Sequence, residues 1–139
     1  MNVRQYQKDD YAALKELYMD SSTYGGQFDE ARDAEDRLGK KIAADPEAIL
    51  VAENNNRLVG SVSLIEDGRV AWLFRFCVVD QDIEVANALK NKALEILKER
   101  GHDEVLVYSP VDSKDLDERY QKLKFNKENN YTVYWSKLS

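Results

Sequence analysis

Residues suited to nucleophilic or metal chemistry are scarce in this sequence of 139 residues, which contains one cysteine and one histidine. Cys77 stands in an apolar stretch, where a thiol usually serves as a small, inert part of the core. A nucleophilic cysteine would also need a base, and His102 is the single imidazole available. With no second histidine and no grouped cysteines, the sequence gives almost no support to a metal site or a nucleophile–histidine triad. No metal is expected.

One charged residue, Arg75, interrupts the most apolar run of the chain, residues 71–79. A run of about nine residues that is rich in aromatic and β-branched types predicts a strand buried on both faces. An arginine inside such a strand must find a partner or reach solvent. We favour a structural ion pair for Arg75, and a ligand contact is the alternative.

The acidic turn Asp80-Gln81-Asp82 follows this strand and leads into a predicted helix. Apolar residues then recur at helical spacing, at Val85, Ala86, Leu89, Ala93, Ile96 and Leu97. Asp80 or Asp82 can cap the first turn, and Gly101 suits the residue just beyond the helix end. The free N–H groups of a helix that starts where a strand ends commonly bind anions in α/β proteins. This junction is therefore a candidate ligand site.

Length and composition indicate one globular domain covering residues 1–139, with 43% hydrophobic and 33% charged residues. No apolar run approaches the roughly 20 residues that span a bilayer, and the first residues lack the apolar stretch of a signal peptide. A single cysteine allows no internal disulfide, so nothing argues for an oxidising compartment. We expect a cytoplasmic protein without a membrane partner.

The net charge of −6 bears on the class of partner. Basic residues are scattered among acidic ones, which disfavours nucleic-acid binding because that function needs a concentrated basic patch. The charge mildly favours cationic small molecules or basic peptides. The plainer interpretation is that it serves solubility.

Periodicity and turn signals predict an alternation of strands and helices. Strands are predicted at residues 3–6, 48–53, 57–66, 71–79, 104–109 and 125–138, and helices after Asp9 and Asp10, over residues 29–44, after Asp82, and over residues 113–123. Asp67-Gly68 is the strongest hairpin signal. Residues 104–109 are placed to run parallel to the central strand 71–79. This order predicts the α+β class, with a mixed, mostly antiparallel sheet flanked by helices.

Three segments of the chain together resemble the GNAT-type N-acetyltransferases. The first, VRQYQKDDYAALKELY, is similar to the opening strand and helix of that family. The second, LVAENNNRLVGSVSLIEDGRVAWLFRFCVV, is similar to its three-strand meander. The third, VLVYSPVDSKDLDERYQKLKF, is similar to a strand, loop and helix ending in Tyr-x-x-x-Gly-Phe, with Lys124 here in place of the glycine.

The resemblance implies an enzyme that transfers an acetyl group from acetyl-CoA to an amine of a small molecule or peptide. The thioester would lie between the central strand and its parallel neighbour. Backbone groups of Phe76, Cys77 and Val78 would then bind the pantetheine arm and polarise the thioester carbonyl. Tyr120 matches the tyrosine that protonates the departing thiolate, and a phenol with a pKa near 10 can donate that proton at neutral pH.

The resemblance also assigns a cofactor site at the start of the helix after Asp82. The family's pyrophosphate loop reads Arg-Gly-x-Gly-x-Gly/Ala, and residues 81–86 of this chain read QDIEVA, so that only Ala86 matches. The residues expected in this site are Asp82, Glu84, Val85, Ala86 and, at the next predicted helix, Ser113. A carboxylate here would repel pyrophosphate by about 1 kcal/mol per close pair at water-like screening. The alternative hypothesis is a ligand-binding or interaction module on the same fold that lacks transferase activity.

On the acceptor side, the resemblance points to the region around Gly25 and Gly26. Tyr18, Tyr24 and Phe28 would wall an acceptor pocket there, and a satellite hydrophobic cluster explains the same residues equally well. No spacing selects a general base among Glu66, Asp67 and Tyr108. The strand-like C-terminal segment leaves an edge that could pair with another subunit, so both a monomer and a homodimer are open.

Overall fold

One antiparallel sheet of four strands, in the order β1-β2-β3-β4, forms the centre of the computed structural model, which describes residues 1–20, 28–110 and 113–139. The strands are β1 (Asn2–Gln5), β2 (Ile49–Asn54), β3 (Arg57–Glu66) and β4 (Ala71–Val78). The helices are α1 (Tyr11–Asp20), α2 (Glu35–Ala44), α3 (Ile83–Glu99) and α4 (Lys114–Lys122). The predicted α+β class is confirmed.

Both faces of the sheet are covered, which explains why β2 and β4 are nearly continuous apolar runs. Along β2 the side chains alternate: Leu50 and Ala52 join the cluster under α3 and α4, whereas Ile49 and Val51 join the cluster under α1. We call these the α3-side cluster and the α1-side cluster. Tyr120 of α4 belongs to the α3-side cluster.

The two tight turns follow from local residue chemistry, and the one at Asp67-Gly68 was predicted. Asn55 and Asn56 have φ of 52° and 62° between β2 and β3, and Gly68 has φ of 86° between β3 and β4. These left-handed angles suit asparagine and glycine better than other residues. The hairpin order of β2, β3 and β4 is therefore determined locally.

The two strands predicted after α3 do not form, and those predictions were wrong. Residues 104–109 make one parallel bridge, between Leu106 and Trp72, and residues 125–139 contain no helix or strand. A strand needs a neighbour whose backbone groups lie alongside, and β4 offers residues 104–109 a single bridge before it bulges at Arg75. Without a second full strand there, the C-terminal segment has no ladder to extend.

The helix predicted over residues 29–44 is shorter, because α2 begins at Glu35. Asp29 Oδ1 accepts hydrogen bonds from the N–H groups of Ala31 and Arg32, and Asp33 Oδ2 accepts one from the N–H of Asp29. Aspartate side chains that bind nearby backbone groups compete with helix formation, which explains the late start. Ala31, which precedes α2, is exposed.

Arg100 joins the end of α3 to the sheet. Its guanidinium binds both carboxylate oxygens of Asp45 at 2.9 Å and reaches Glu47 and Glu66 at 3.2 Å. The hydrogen bond from Arg100 lowers the pKa of Asp45 below its usual value. Because the folded-state pKa is depressed, this stabilisation is present above about pH 4 and is lost as the pH falls.

We expect Arg100→Leu to lower the free energy of unfolding at pH 7 by about 1–2 kcal/mol, since hydrogen bonds to charged groups are lost. The difference from wild type should shrink below pH 4, as Asp45 becomes protonated. Thermal unfolding at both pH values measures this. The control is Arg69→Leu, since Arg69 pairs with Asp67 in an exposed turn and should matter little at either pH. A difference that persists unchanged in acid would contradict the assignment.

Candidate active site at the end of β4

β4 contains a bulge at Arg75. Val62 of β3 stands opposite two residues, Arg75 and Phe76. The pairs on either side are Ser63 with Phe74 and Ser61 with Cys77. Arg75 has φ of 51°, in the left-handed region, which costs a non-glycine residue about 1–2 kcal/mol. Such a bulge bends its strand and increases the local twist.

The extra residue changes which side chains face α3. Before the bulge, Leu73 joins the α3-side cluster; after it, Phe76 and Val78 do so, while Cys77 joins the α1-side cluster. A regular strand would have placed Leu73 and Cys77 on the same face. The bulge therefore brings Phe76 and Val78 into the face that α3 and α4 cover.

β4 pairs with the described part of the segment after α3 at one point. Leu106 donates its N–H to the carbonyl of Ala71 and accepts a hydrogen bond from the N–H of Leu73, both at 2.9 Å. Within the described part of that segment, which ends at residue 110, no bridge continues to Phe76–Val78. We call the stretch over which Phe76–Val78 and residues 107–109 are not bridged the β4 gap. A separation of these two segments is the geometry that the acetyltransferase hypothesis requires.

The three β4 residues expected to bind the cofactor have buried side chains. Phe76, Cys77 and Val78 are between 0% and 3% exposed, so their backbone groups are what a ligand in the β4 gap would meet. Burial raises the pKa of the Cys77 thiol to about 12. Cys77 thus remains a neutral thiol near pH 7, in keeping with a core role.

Asp82 caps the start of α3. Its Oδ1 accepts hydrogen bonds from the N–H groups of Glu84 at 2.9 Å and of Val85 at 3.4 Å. These are two of the N–H groups that an anion would use at this helix start. The preceding turn is tight, with Asp80 and Gln81 both at left-handed φ, 53° and 55°. The helix start is thus capped by the chain's own carboxylate.

Gly60 lets α3 approach the sheet closely. A Cβ at this position would lie 2.9 Å from Leu89 Cδ1 and 3.0 Å from Val85 Cγ1. Val85 and Ala86, expected at the cofactor site, are buried in the α3-side cluster. Their side chains position the start of α3, so only their backbone groups are candidates for ligand contact.

α4 carries the other two predicted residues on this side of the sheet. Tyr120 is 7% exposed and packs edge-on against Phe125, with ring centroids 5.6 Å apart. Ser113 precedes the first residue of α4, and its carbonyl accepts the N–H of Asp117. Lys90 of α3 donates to the carbonyl of Leu123, which fastens the end of α4 to α3. Tyr120 therefore shares one cluster with Phe76 and Val78.

Two of the predicted acceptor residues, Tyr18 and Phe28, lie toward the opposite face. Tyr18 is 1% exposed in the α1-side cluster, where burial raises the pKa of its phenol. Phe28 packs at the edge of that cluster, with Lys15 Nζ 5.0 Å from its ring centre. Tyr24 lies outside the described residues. Of the predicted acceptor residues that the structure describes, Tyr18 has the environment of a core residue.

Asp33, the partner of Arg75, was not predicted from the sequence. The guanidinium donates to Asp33 through Nε at 3.2 Å and Nη2 at 2.9 Å, and the side chains are 9% and 4% exposed. The Arg75 guanidinium also lies 4.8 Å from the ring centre of Phe74. An arginine within an apolar run signalled that a partner exists, but nothing marked a residue 42 positions earlier. The favoured interpretation of Arg75, a structural ion pair, agrees with this contact.

An open cavity of about 320 Å³ lies at the other end of β4, lined by residues 68–71 and part of the segment after α3. Glu66, left open as a general base, is at this end: it pairs with Ala71, and His102 Nε2 lies 2.8 Å from its Oε1. That contact lowers the pKa of Glu66.

Among the described residues, no group of His, Cys, Asp and Glu is arranged to hold a metal, and no helix has the length and apolarity to cross a bilayer.

Neither a family model nor a curated protein sequence matches this chain. Several solved structures of other proteins do match it in fold. The PaiA N-acetyltransferase of Thermoplasma acidophilum in complex with coenzyme A superposes with a TM-score of 0.78 at 20% identity, over 94% of this chain and 92% of its own. The aminoglycoside antibiotic 6'-N-acetyltransferase AAC(6')-IG of Acinetobacter haemolyticus, without ligand, gives 0.74 at 19%, over 99% and 98%.

A third similar structure is a larger protein of Pyrococcus horikoshii described as an acetyltransferase. It superposes with a TM-score of 0.68 at 20% identity, and the match covers 91% of this chain but 43% of that protein. At identities this low, the similarity shows the arrangement of helices and strands and does not identify the acceptor. The chain has the fold of the GNAT-type N-acetyltransferases.

Proposed function

We propose that this protein transfers an acetyl group from acetyl-CoA to a primary amine of a small molecule or peptide. The observation that carries the proposal is the β4 gap. β4 and the parallel segment beside it pair at Trp72–Leu106 and no further among the described residues, and a thioester between them would need that absence of pairing beside Phe76–Val78. The similar structure with coenzyme A bound supports the choice of donor.

In the proposed reaction, each candidate residue has a separate role. A neutral amine forms a bond to the acetyl carbonyl carbon, the carbon–sulfur bond breaks, and the amine loses a proton to water. A backbone N–H near Cys77 or Val78 would stabilise the developing oxyanion, because a fixed donor in a buried position costs little reorganisation. Tyr120 would give its phenol proton to the departing thiolate.

The start of α3 is an unfavourable site for the diphosphate of coenzyme A. Asp82 already satisfies two N–H groups of the first turn, and Glu84 adds a second carboxylate. A helix N-terminus attracts an anion by about 0.3–1 kcal/mol, which repulsion of about 1 kcal/mol per close carboxylate can cancel. We therefore assign donor binding mainly to the β4 gap and expect a modest affinity.

Calorimetric titration with acetyl-CoA, followed by a thiol-release assay with a panel of primary amines, tests the proposal. Micromolar binding together with amine-dependent release of coenzyme A is the expected result. No heat up to millimolar acetyl-CoA would overturn it. An aminoglycoside belongs in the panel because one similar structure is named for that acceptor.

A second candidate is a binding or interaction module without transferase activity, and the Asp82 cap is the observation that favours it. A helix start closed by its own carboxylate needs no diphosphate to satisfy its N–H groups. This hypothesis predicts folded protein that binds no acetyl-CoA in the same titration.

We expect the double variant Asp82→Asn with Glu84→Gln to bind coenzyme A about 30-fold more tightly. Asparagine keeps the helix cap, so the change removes two charges at about 1 kcal/mol each without unfolding the turn. Dissociation constants from calorimetry at low and high salt measure this, and the gain should shrink at high salt.

The matched control is Glu99→Gln with Asp103→Asn. Both residues are exposed at the opposite end of α3, and the net charge changes by the same amount. Equal dissociation constants for the two double variants would show that the charges at the start of α3 do not act on the ligand.

A further inference from the structure

The end of α4 closes in a Schellman motif, a turn that usually contains a glycine. Phe125 donates its N–H to the carbonyl of Tyr120 at 2.9 Å. Lys124 donates its N–H to the carbonyl of Gln121 at 3.0 Å. Lys124 has φ of 68°, a left-handed angle that glycine adopts without strain and lysine does not. The end of α4 is therefore strained at Lys124.

This strained turn contains the backbone of Tyr120, the candidate general acid. The carbonyl of Tyr120 accepts the closing hydrogen bond from Phe125, and the two rings pack edge-on with their centroids 5.6 Å apart. A contact between these two side chains commonly accompanies the motif. The orientation of the Tyr120 ring therefore depends on whether the turn stays closed.

Lys90 of α3 binds the same turn from outside α4. Lys90 is 8% exposed, and its ammonium donates to the carbonyl of Leu123, the residue before Lys124. The ammonium also lies 4.9 Å from the centre of the Phe125 ring, within the range of a cation–π interaction. Lys90 thus contacts the residues on both sides of the strained one.

An ion pair does not explain why Lys90 is buried. Among the described residues, Lys92 of the same helix pairs with Glu95, whereas no carboxylate pairs with Lys90. Burial, together with the nearby charge of Lys124, lowers the pKa of Lys90. Burying an ammonium without a counter-charge is costly, and an apolar side chain would fill this position at lower cost. The contacts with the end of α4 are what the ammonium adds.

We propose that Lys90 is a positioning residue for Tyr120: its ammonium holds the strained end of α4 closed and so keeps the phenol in the orientation that proton donation needs. Lys90 thereby compensates for the lysine that stands at position 124, where a glycine would close the turn unaided. The catalytic part of this role rests on the acetyl transfer proposed above. The effect of Lys90 on the Tyr120 ring does not.

Nuclear magnetic resonance of protein with ¹³C-labelled tyrosine rings tests the positioning without any substrate. The Tyr120 signals are those lost in Tyr120→Phe, and the adjacent Phe125 ring should displace them from the values of free tyrosine. Lys90→Met should return them toward those values. The control, Lys92→Met, removes the same charge from a more exposed position of α3 and should leave them unchanged. Unchanged Tyr120 signals in Lys90→Met overturn the proposal.

A second substitution, Lys124→Gly, tests whether strain is the cause. In the double variant Lys90→Met with Lys124→Gly, the Tyr120 signals should regain their wild-type positions, because glycine adopts the left-handed angle unaided. The double variant should also fold if Lys90→Met alone does not. A double variant that is unfolded, or whose Tyr120 signals remain displaced, overturns the proposal.

Steady-state kinetics with the best amine of the panel tests the catalytic part. Lys90→Met should lower kcat by about 10- to 100-fold and leave the KM for acetyl-CoA nearly unchanged, because a misplaced acid impairs proton transfer and not donor binding. In a Tyr120→Phe background the same substitution should not lower kcat further, since Lys90 acts through the hydroxyl. An equal fall in both backgrounds overturns the catalytic role. If no amine is acetylated, the proposed function fails, and the Tyr120 signals alone decide the positioning.

Discussion

Replacing Asp33 by asparagine is expected to lower the free energy of unfolding by about 3–5 kcal/mol, because it removes the carboxylate charge that faces the buried Arg75 guanidinium. The two side chains are 9% and 4% exposed, so water does little to compensate. Urea unfolding at neutral pH measures the loss. For a chain of this length, total stability is about 5–15 kcal/mol, and the change removes a large share of it.

The same pair lies at the bulge of β4, and a second variant tests whether it positions the bulge as well as stabilising the fold. Arg75 adopts its left-handed φ while bound to Asp33, which lies in the turn before α2. Asp33→Leu with Arg75→Met should recover most of the stability, since apolar replacement of a buried pair is often neutral. If the pair also positions the bulge, this double variant will fold but bind acetyl-CoA more weakly. Unchanged binding would show that the pair serves stability alone.

The second large effect that we expect is a loss of kcat when the hydroxyl of Tyr120 is removed. If this phenol protonates the departing thiolate, Tyr120→Phe should lower kcat by about 10²- to 10⁴-fold, the usual contribution of a general acid. The KM for acetyl-CoA should change little, because the ring that packs edge-on against Phe125 is retained. Steady-state kinetics with the best amine from the panel measures both constants.

Tyr134→Phe is the matched control for this experiment. Tyr134 is 91% exposed and lies outside the β4 region, so the loss of its hydroxyl should leave kcat as it was. A Tyr120→Phe enzyme with wild-type kcat would reject the general-acid role while leaving acetyl transfer itself open. Tyr120 would then be a core residue of α4, as its spacing with Leu116 and Leu123 also allows.

Elements whose causes are local could be predicted from the sequence. The β2–β3–β4 hairpins depend on Asn55, Asn56 and Gly68, whose left-handed angles suit those residue types. The length of α3 follows from an apolar stripe and from the Asp82 cap, which was one of two predicted candidates. The fold class followed from the order of these elements.

Predictions that depended on a partner elsewhere in the chain were less successful. Residues 104–109 and 125–138 have the composition of strands, but a strand also needs a neighbour alongside. The bulge at Arg75 limits the first to one bridge with β4. The second has no neighbour among the described residues of its own chain.

The features of the candidate site likewise fall into those predicted from the sequence and those seen only in the structure. Residue types alone predicted the apolar strand, the acidic helix start and a buried arginine that needs a counter-ion. Each of these features depends on neighbours within a few positions. Only the tertiary structure decided that Asp33 is that counter-ion, that β4 bulges at Arg75, and that the described residues beside β4 pair with it only at Trp72–Leu106. The physical reason is that contacts between residues far apart in the chain depend on how the sheet and helices pack, which no local spacing records.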